Sequence, residues 1–175
     1  MTYKIGLAGR AGSGKSTIAK MLTRELDAEI VPLAVKIKDI AVQMGWNGVK
    51  DDKGRRLLQL LGTECGRDCI GENCWVDMWV QEANLWNVDF VIADDVRFDN
   101  EAKACDIVIR VTGRNNGTSQ EHASEKGVSD DLIDLEICNV KDLQAMETDI
   151  RALAFNLQYK RDCWCGLYSK ENKCS

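Results

Sequence analysis

The segment that most constrains the fold is residues 9–16, Gly-Arg-Ala-Gly-Ser-Gly-Lys-Ser, which match the pattern G-x-x-x-x-G-K-[ST]. Residues 3–8 before it are typical of a short buried strand. After it, Ile18, Leu22 and Leu26 recur at the spacing of one helix face. Because a strand, a glycine turn and a helix follow in the required order, we interpret the segment as a P-loop rather than as an ordinary turn with a surface lysine.

The residue types of this segment suit the binding of a triphosphate. Its three glycines let successive backbone N–H groups point into one concavity, and the helix N-terminus that follows favours an anion. Lys15 would reach the β- and γ-phosphates, and the Ser16 hydroxyl would be a ligand of Mg²⁺. The predicted nucleotide-binding residues are Gly9, Ala11, Gly12, Ser13, Gly14, Lys15, Ser16 and Thr17.

Length, composition and charge narrow the class of protein. The chain has 175 residues, 45% of them hydrophobic and 29% charged, which suits one globular domain, predicted over residues 1–157. The net charge of −5 argues against direct nucleic-acid binding. Met1 leads directly into the first strand, and no apolar run nears the ~18 residues of a membrane span. We therefore expect a cytoplasmic protein with neither a signal peptide nor a membrane partner.

Hydrophobic patterning predicts alternating strands and helices after the P-loop. A continuous apolar run, as at 90–93, is typical of a central parallel strand, and apolar residues at i, i+3 and i+4 indicate a helix. Further strands are predicted at 30–34, 107–111 and 133–137, and helices at 37–44, from 55 onward, at 75–86, 99–104 and 143–157. Residues 158–175 receive no element. This order predicts an α/β fold with a doubly wound, mostly parallel five-stranded sheet flanked by helices.

Two acidic residues directly follow the strand predicted at 90–93. Open α/β sheets bind ligands at the carboxyl ends of their strands. Beside a P-loop, Asp94 and Asp95 are therefore candidates for holding Mg²⁺ through water, although paired carboxylates also occur on surface turns. We assign this role to Asp95, with Ser16 as the other metal ligand.

Arginines are more numerous than one triphosphate requires. Arg55 and Arg56 begin a predicted helix, and Arg67 lies further along the same segment. Arg97 follows the acidic pair, and Arg114 lies in the polar stretch 113–131, which we predict to be a loop or a small lid. Because the planar fork of arginine suits bidentate binding of a phosphate, these residues indicate a second phosphorylated ligand.

The tryptophans and cysteines of the chain have simpler interpretations. Trp75, Trp79 and Trp86 recur at helical spacing, so we predict core packing for the last two, whereas Trp75 could stack on a base. None of the eight cysteines forms a C-x-x-C pair, which favours free thiols over a zinc site. Residues 139–142 read Asn-Val-Lys-Asp rather than N-K-x-D, which argues against a switch GTPase.

Several segments together resemble the bacteriophage deoxynucleoside monophosphate kinases. In family order, they are Leu33-Ala34 to Lys38-Asp39, residues 55–63 (Arg-Arg-Leu-Leu-Gln-Leu-Leu-Gly-Thr), Trp75-Val76, Asp95-Val96-Arg97 with Glu101, and His122-Ala123-Ser124-Glu125. The resemblance spans residues 5 to about 157. Larger members carry an inserted subdomain where this chain has only the short stretch 45–54.

This resemblance implies an adenylate-kinase-like sheet of strand order 2-3-1-4-5, with ATP and Mg²⁺ as cofactors and a deoxynucleoside monophosphate (dNMP) as acceptor. The acceptor segment would be residues 36–86, and the lid 113–131. The residues implied in transfer are Lys15, Asp95, Arg97 and Arg114; those implied in acceptor binding are Lys38, Arg56, Arg67, Trp75, Glu101 and His122. The host cytoplasm would be the location of a phage-encoded enzyme.

Other functions stay open from the sequence alone. One is a small P-loop kinase with another acceptor, a nucleoside or a modified base in DNA. Another is a nucleotide-binding module without catalysis, which would act through a partner protein. The oligomeric state, monomer or homodimer, and the preferred base are likewise open.

Overall fold

The computed structural model describes residues 2–113, 127–140 and 142–164. Five strands and six helices follow one another along these ranges. They are β1 (Tyr3–Ala8), α1 (Lys15–Glu25), β2 (Ala28–Ile30), α2 (Val35–Gln43), α3 (Asp52–Gln59), α4 (Cys74–Ala83), β3 (Phe90–Val96), α5 (Asp99–Lys103), β4 (Ile107–Thr112), β5 (Leu135–Cys138) and α6 (Leu143–Trp164). A π-helical segment, Leu60–Asp68, continues α3, and a 3₁₀ turn, Asp130–Leu132, precedes β5.

The five strands form one parallel sheet in the order β2-β3-β1-β4-β5. All six residues of β1 are buried, as expected for a strand at the centre of a sheet that is covered on both faces. Ile5 of β1 pairs with Ile92 of β3 and with Ile107 of β4. The predicted fold class and strand order are therefore confirmed.

The alternation of side chains along β3 divides the core into two halves. Phe90 and Ile92 pack with α1 and α6 on one face of the sheet. Val91 and Ala93 pack on the other face, where α4 contributes Trp79, which is fully buried and donates its indole N–H to the carbonyl oxygen of Val31. Because side chains alternate along a strand, neighbouring residues of β3 pack on opposite faces of the sheet.

Some element boundaries differ from the prediction. The second strand ends at Ile30 rather than continuing to residue 34, because the chain turns away from the sheet at residues 33–34. α4 ends at Ala83, so Trp86 lies beyond it with 40% of its surface exposed, and its predicted core packing is wrong.

The last helix is longer than predicted. α6 continues past residue 157 to Trp164. Arg161 lies over the ring of Phe90, 5.5 Å from its centroid, and pairs with Asp89, so this end of the helix packs against the start of β3. None of the helices in the described ranges combines the length and the apolar character that crossing a membrane requires.

Candidate nucleotide site

The P-loop joins β1 to α1, and its backbone requires glycine at three positions. The φ angles of Gly9, Gly12 and Gly14 are 140°, 78° and 100°, values that other residues rarely adopt. A Cβ at Gly9 would also lie 2.3 Å from the carbonyl oxygen of Val111. The glycine pattern thus has a structural cause, and the loop leads directly into the first turn of α1, where free N–H groups favour an anion.

Lys15 lies at the mouth of this loop together with a second cation. Its ammonium group donates to the carbonyl oxygens of Gly9 at 2.8 Å and of Arg10 at 2.9 Å. Burial lowers the pKa of Lys15, and the positive charge of Arg97 lowers it further. Within the described ranges, the Arg97 guanidinium forms no ion pair. Two cations so close together at a glycine loop make a site for an anion.

The side chain of Ser13 is buried in the loop without a hydrogen-bond partner. It is 1% exposed, and its hydroxyl finds no partner among the described residues. A buried polar group left in this state costs about 1–3 kcal/mol, so a ligand or a loop movement that supplies a partner would be favourable. This hydroxyl, the glycine cradle and Lys15 together fit a triphosphate chain.

Asp94, rather than Asp95, is the carboxylate beside Ser16. The Ser16 hydroxyl donates to Oδ2 of Asp94 at 2.6 Å. Asp94 shares the face of β3 that carries Phe90 and Ile92, and this is the face on which α1 packs. Asp95 faces the opposite layer. A hydroxyl and a carboxylate oxygen are the ligands that Mg²⁺ prefers, so this pair fits a magnesium site, and the structure brings the predicted Ser16 together with Asp94.

The carboxylate of Asp95 is bound to the backbone at the start of α2. It accepts the N–H of Leu33 at 2.7 Å and the N–H of Ala34 at 3.2 Å. Burial raises the pKa of Asp95, while these two N–H groups and the charge of Lys38 lower it. The structure therefore places Asp94, rather than the predicted Asp95, beside Ser16, and both lie at the strand end that the sequence predicted.

Glu101 and Arg67, both predicted to hold the acceptor, lie together in a half-buried cluster. Arg67 contacts Oε1 of Glu101 at 2.7 Å, and its guanidinium lies 3.9 Å from the centroid of the Phe98 ring. Oε2 of Glu101 accepts the N–H groups of Arg97 at 2.8 Å and Phe98 at 3.2 Å. Burial raises the pKa of Glu101. Both of its oxygens thus accept hydrogen bonds from protein groups, and they connect Arg67 with the backbone of Arg97.

Trp75 has a core position in this structure. It is 7% exposed and donates its indole N–H to the carbonyl oxygen of Gly62 at 2.9 Å. Its ring lies against Gly66, where a Cβ would come within 2.3 Å of it. This burial counts against the predicted stacking on a base, because the ring already fills the space between α4 and the π-helical segment.

The remaining predicted residues are spread over the acceptor segment and beyond. Arg56 is exposed on α3, and its guanidinium lies 3.4 Å from the carboxylate of Glu64. Lys38 is half-buried on α2. Arg114 and His122 lie outside the described residues, as does most of the predicted lid.

A cavity of about 160 Å³ adjoins the P-loop between α1 and the start of α6. Its lining consists of two P-loop glycines, four apolar residues and two polar ones: Gly12, Gly14, Thr17, Ile18, Met21, Asn139, Leu143 and Met146. The Asn139 amide donates to the carbonyl oxygen of Ser13 at 2.8 Å. Sequence reasoning considered Asn139 only as part of a failed GTPase motif, although its position after a predicted parallel strand placed it at the ligand-binding edge.

The cysteines form no metal centre in the described part of the chain. Five of them, Cys65, Cys69, Cys74, Cys105 and Cys138, are described and all are free thiols. Within these ranges, no group of three or more histidine, cysteine or acidic side chains could hold a metal ion. These five cysteines thus form no disulfide.

Comparison with known proteins supports the fold. No protein-family model matches the chain, and no curated protein matches it by sequence. The structure is similar to that of shikimate kinase from Bacteroides thetaiotaomicron, with a TM-score of 0.52 and 16% identity over 89% of this chain and 98% of that one. It is also similar to TT1252 from Thermus thermophilus, with a TM-score of 0.55 and 14% identity over the same shares. These likenesses show a P-loop fold like that of nucleoside monophosphate kinases.

Proposed function

We propose that the protein is a phosphotransferase that moves the γ-phosphoryl group of ATP to a dNMP and forms the corresponding diphosphate. The observation that carries this proposal is the convergence of Lys15, Arg97 and the Ser16–Asp94 pair at one edge of the sheet. The resemblance to the bacteriophage kinases, together with the arginines of the acceptor segment, supports a phosphate-bearing acceptor. The kinase-like fold is consistent with this assignment.

Each residue at the donor end has a physical role in this proposal. The P-loop N–H groups and Lys15 hold the phosphate chain of ATP, and the cavity beside Thr17 and Met21 takes its base. Ser16 and Asp94 would hold Mg²⁺, which neutralises charge on the phosphates. Arg97 lies beside Lys15, where a guanidinium stabilises the charge of the group in transfer.

The carboxylates near the P-loop favour a phosphate acceptor over a hydroxyl acceptor. A hydroxyl needs a base to take its proton, whereas the phosphate of a dNMP is already ionised at neutral pH. Asp95 and Glu101 are both engaged by backbone N–H groups, and Asp94 accepts the Ser16 hydroxyl. These three side chains therefore lack the freedom expected of a general base.

A coupled ADP-release assay over the four dNMPs, the four deoxynucleosides and duplex DNA tests the proposal. We expect acceptor-dependent turnover with one or two dNMPs only. Lys15→Ala should lower the rate by about 10²-fold or more, since it removes a charge that stabilises transfer. Lys20→Ala is the matched control, because Lys20 is exposed on the same helix. Turnover with nucleosides or DNA alone, or a Lys15→Ala rate equal to wild type, would contradict the proposal.

A further inference from the structure

The start of α2 lacks the residues that normally stabilise a helix N-terminus. Its N-cap residue is Ala34, which has no side chain to accept an N–H, and its first turn contains no acidic residue. Lys36 and Lys38 instead bring positive charge to the positive end of the helix dipole. Lys36 is compensated by Glu82, whose carboxylate lies 2.7 Å away. The first turn of the helix therefore offers no carboxylate of its own.

Asp95 brings a carboxylate to the start of α2, although it is remote in sequence. Its two carboxylate oxygens accept the N–H groups of Leu33 at 2.7 Å and Ala34 at 3.2 Å, one oxygen for each. Ala34 is the N-cap residue of α2 and Leu33 precedes it, so the tip of β3 tethers the turn that leads into the helix. A local N-cap would stabilise α2 alone, whereas this tether joins the start of α2 to the sheet.

The neighbouring residue on β3 links the same strand tip to the P-loop. Asp94 accepts the Ser16 hydroxyl on one face of the sheet, and Asp95 holds α2 on the other. A single peptide unit therefore joins the donor side of the site to the helix that carries Lys38. Covalent geometry holds the two aspartate Cα atoms about 3.8 Å apart, so both side-chain contacts start from one short stretch of backbone.

We propose that Asp95 is a positioning residue that fixes the start of α2, and with it Lys38, relative to the P-loop, and that it thereby controls acceptor binding without touching a substrate. This inference rests on the proposed function insofar as α2 belongs to the acceptor segment. It gives Asp95 a task different from the metal binding predicted from the sequence.

The test compares a lost tether with a local N-cap. Asp95→Ala removes the tether, and Asp95→Asn keeps one acceptor oxygen in case the alanine variant does not fold. The double variant Ala34→Asp/Asp95→Ala caps α2 locally but leaves it unattached to β3. Asp99→Ala is the matched control, since Asp99 also accepts a backbone N–H, that of Ser129 at 2.8 Å, away from α2.

We expect Asp95→Ala or Asp95→Asn to raise the KM for the dNMP at least 10-fold while the KM for ATP changes less than 3-fold. The double variant should recover part of the thermal stability lost in Asp95→Ala but not the acceptor KM, and Asp99→Ala should leave both KM values near wild type. An unchanged acceptor KM, equal rises in both KM values, or recovery of the acceptor KM by the local cap would overturn the proposal.

Hydrogen exchange at residues 33–38 separates this inference from the proposed function. Asp95→Ala should speed exchange there and leave the P-loop helix α1 unaffected, whether or not a dNMP is the acceptor. If exchange is unchanged, the tether itself is refuted. If exchange rises but the wild-type protein turns over no dNMP, the tether holds and the proposed function, including the acceptor role of α2, is refuted.

Discussion

A methyl group at Gly66 tests how the acceptor segment is packed. A Cβ at this position would lie 2.3, 2.5 and 2.6 Å from three atoms of the Trp75 indole, distances that real Cβ atoms essentially never show. The ring or the π-helical segment must therefore move by roughly 1 Å to reach ordinary contact. Such a movement disturbs the indole hydrogen bond to Gly62 and displaces Arg67, which follows Gly66 directly.

The magnitude follows from these contacts. Overpacking costs about 1–3 kcal/mol, and a lost neutral hydrogen bond about 0.5–1.5 kcal/mol. Alanine regains about 0.5–1 kcal/mol over glycine in a helix. We therefore expect Gly66→Ala to lower the free energy of unfolding by about 0.5–4 kcal/mol, which corresponds to a fall in Tm of roughly 1–16 °C for a chain of this length.

Gly62 offers a matched control in the same helical segment, four residues away. A Cβ there would meet only the Cδ1 atom of Ile37, at 3.4 Å. Gly62→Ala should therefore be neutral or stabilising by about 0.5–1 kcal/mol. Urea denaturation followed by far-UV circular dichroism measures both variants. If their free energies of unfolding agree within about 0.5 kcal/mol, the packing described for Trp75 is wrong.

Two further predictions concern single side chains. Burial raises the pKa of the Cys105 thiol to about 12, so at pH 8 only about one thiol in 10⁴ is ionised. Peptide mapping after iodoacetamide treatment should therefore show exposed Cys65 labelled long before Cys105. Equal labelling of the two cysteines would refute the burial of Cys105. In steady-state kinetics, Arg97→Met should lower kcat by about 10²- to 10³-fold, with a smaller change in the KM for ATP. A wild-type kcat would show that Arg97 has no role in the transfer step.

The sequence predicted the fold well because its strongest signals are local. The glycine pattern of the P-loop, the apolar run at 90–93 and the helical spacing after residue 15 each reflect a short stretch of backbone whose residues specify its conformation. The resemblance to a known family then supplied the strand order, which local patterns alone do not determine.

The side-chain partners at the site were harder to predict, since they depend on which elements meet. Alternation along β3 is a local rule, and counting it from buried Ile92 would have placed Asp94 on the α1 face. That Asp95 tethers the turn before a helix some 60 residues earlier in the chain is not visible in either segment by itself. The burial of Trp75 likewise depends on glycine in another helical segment, and the exposure of Trp86 on where α4 ends.

Transfer of label from [γ-³²P]ATP tests the central claim most directly, because it separates phosphoryl transfer from hydrolysis. The wild-type protein, Mg²⁺ and each dNMP in turn are incubated, and the products are separated by chromatography. The account predicts labelled deoxynucleoside diphosphate with at least one dNMP, and a yield about 10²-fold lower for Lys15→Ala. Label that appears only as inorganic phosphate, or in the same yield with Lys15→Ala, would contradict it.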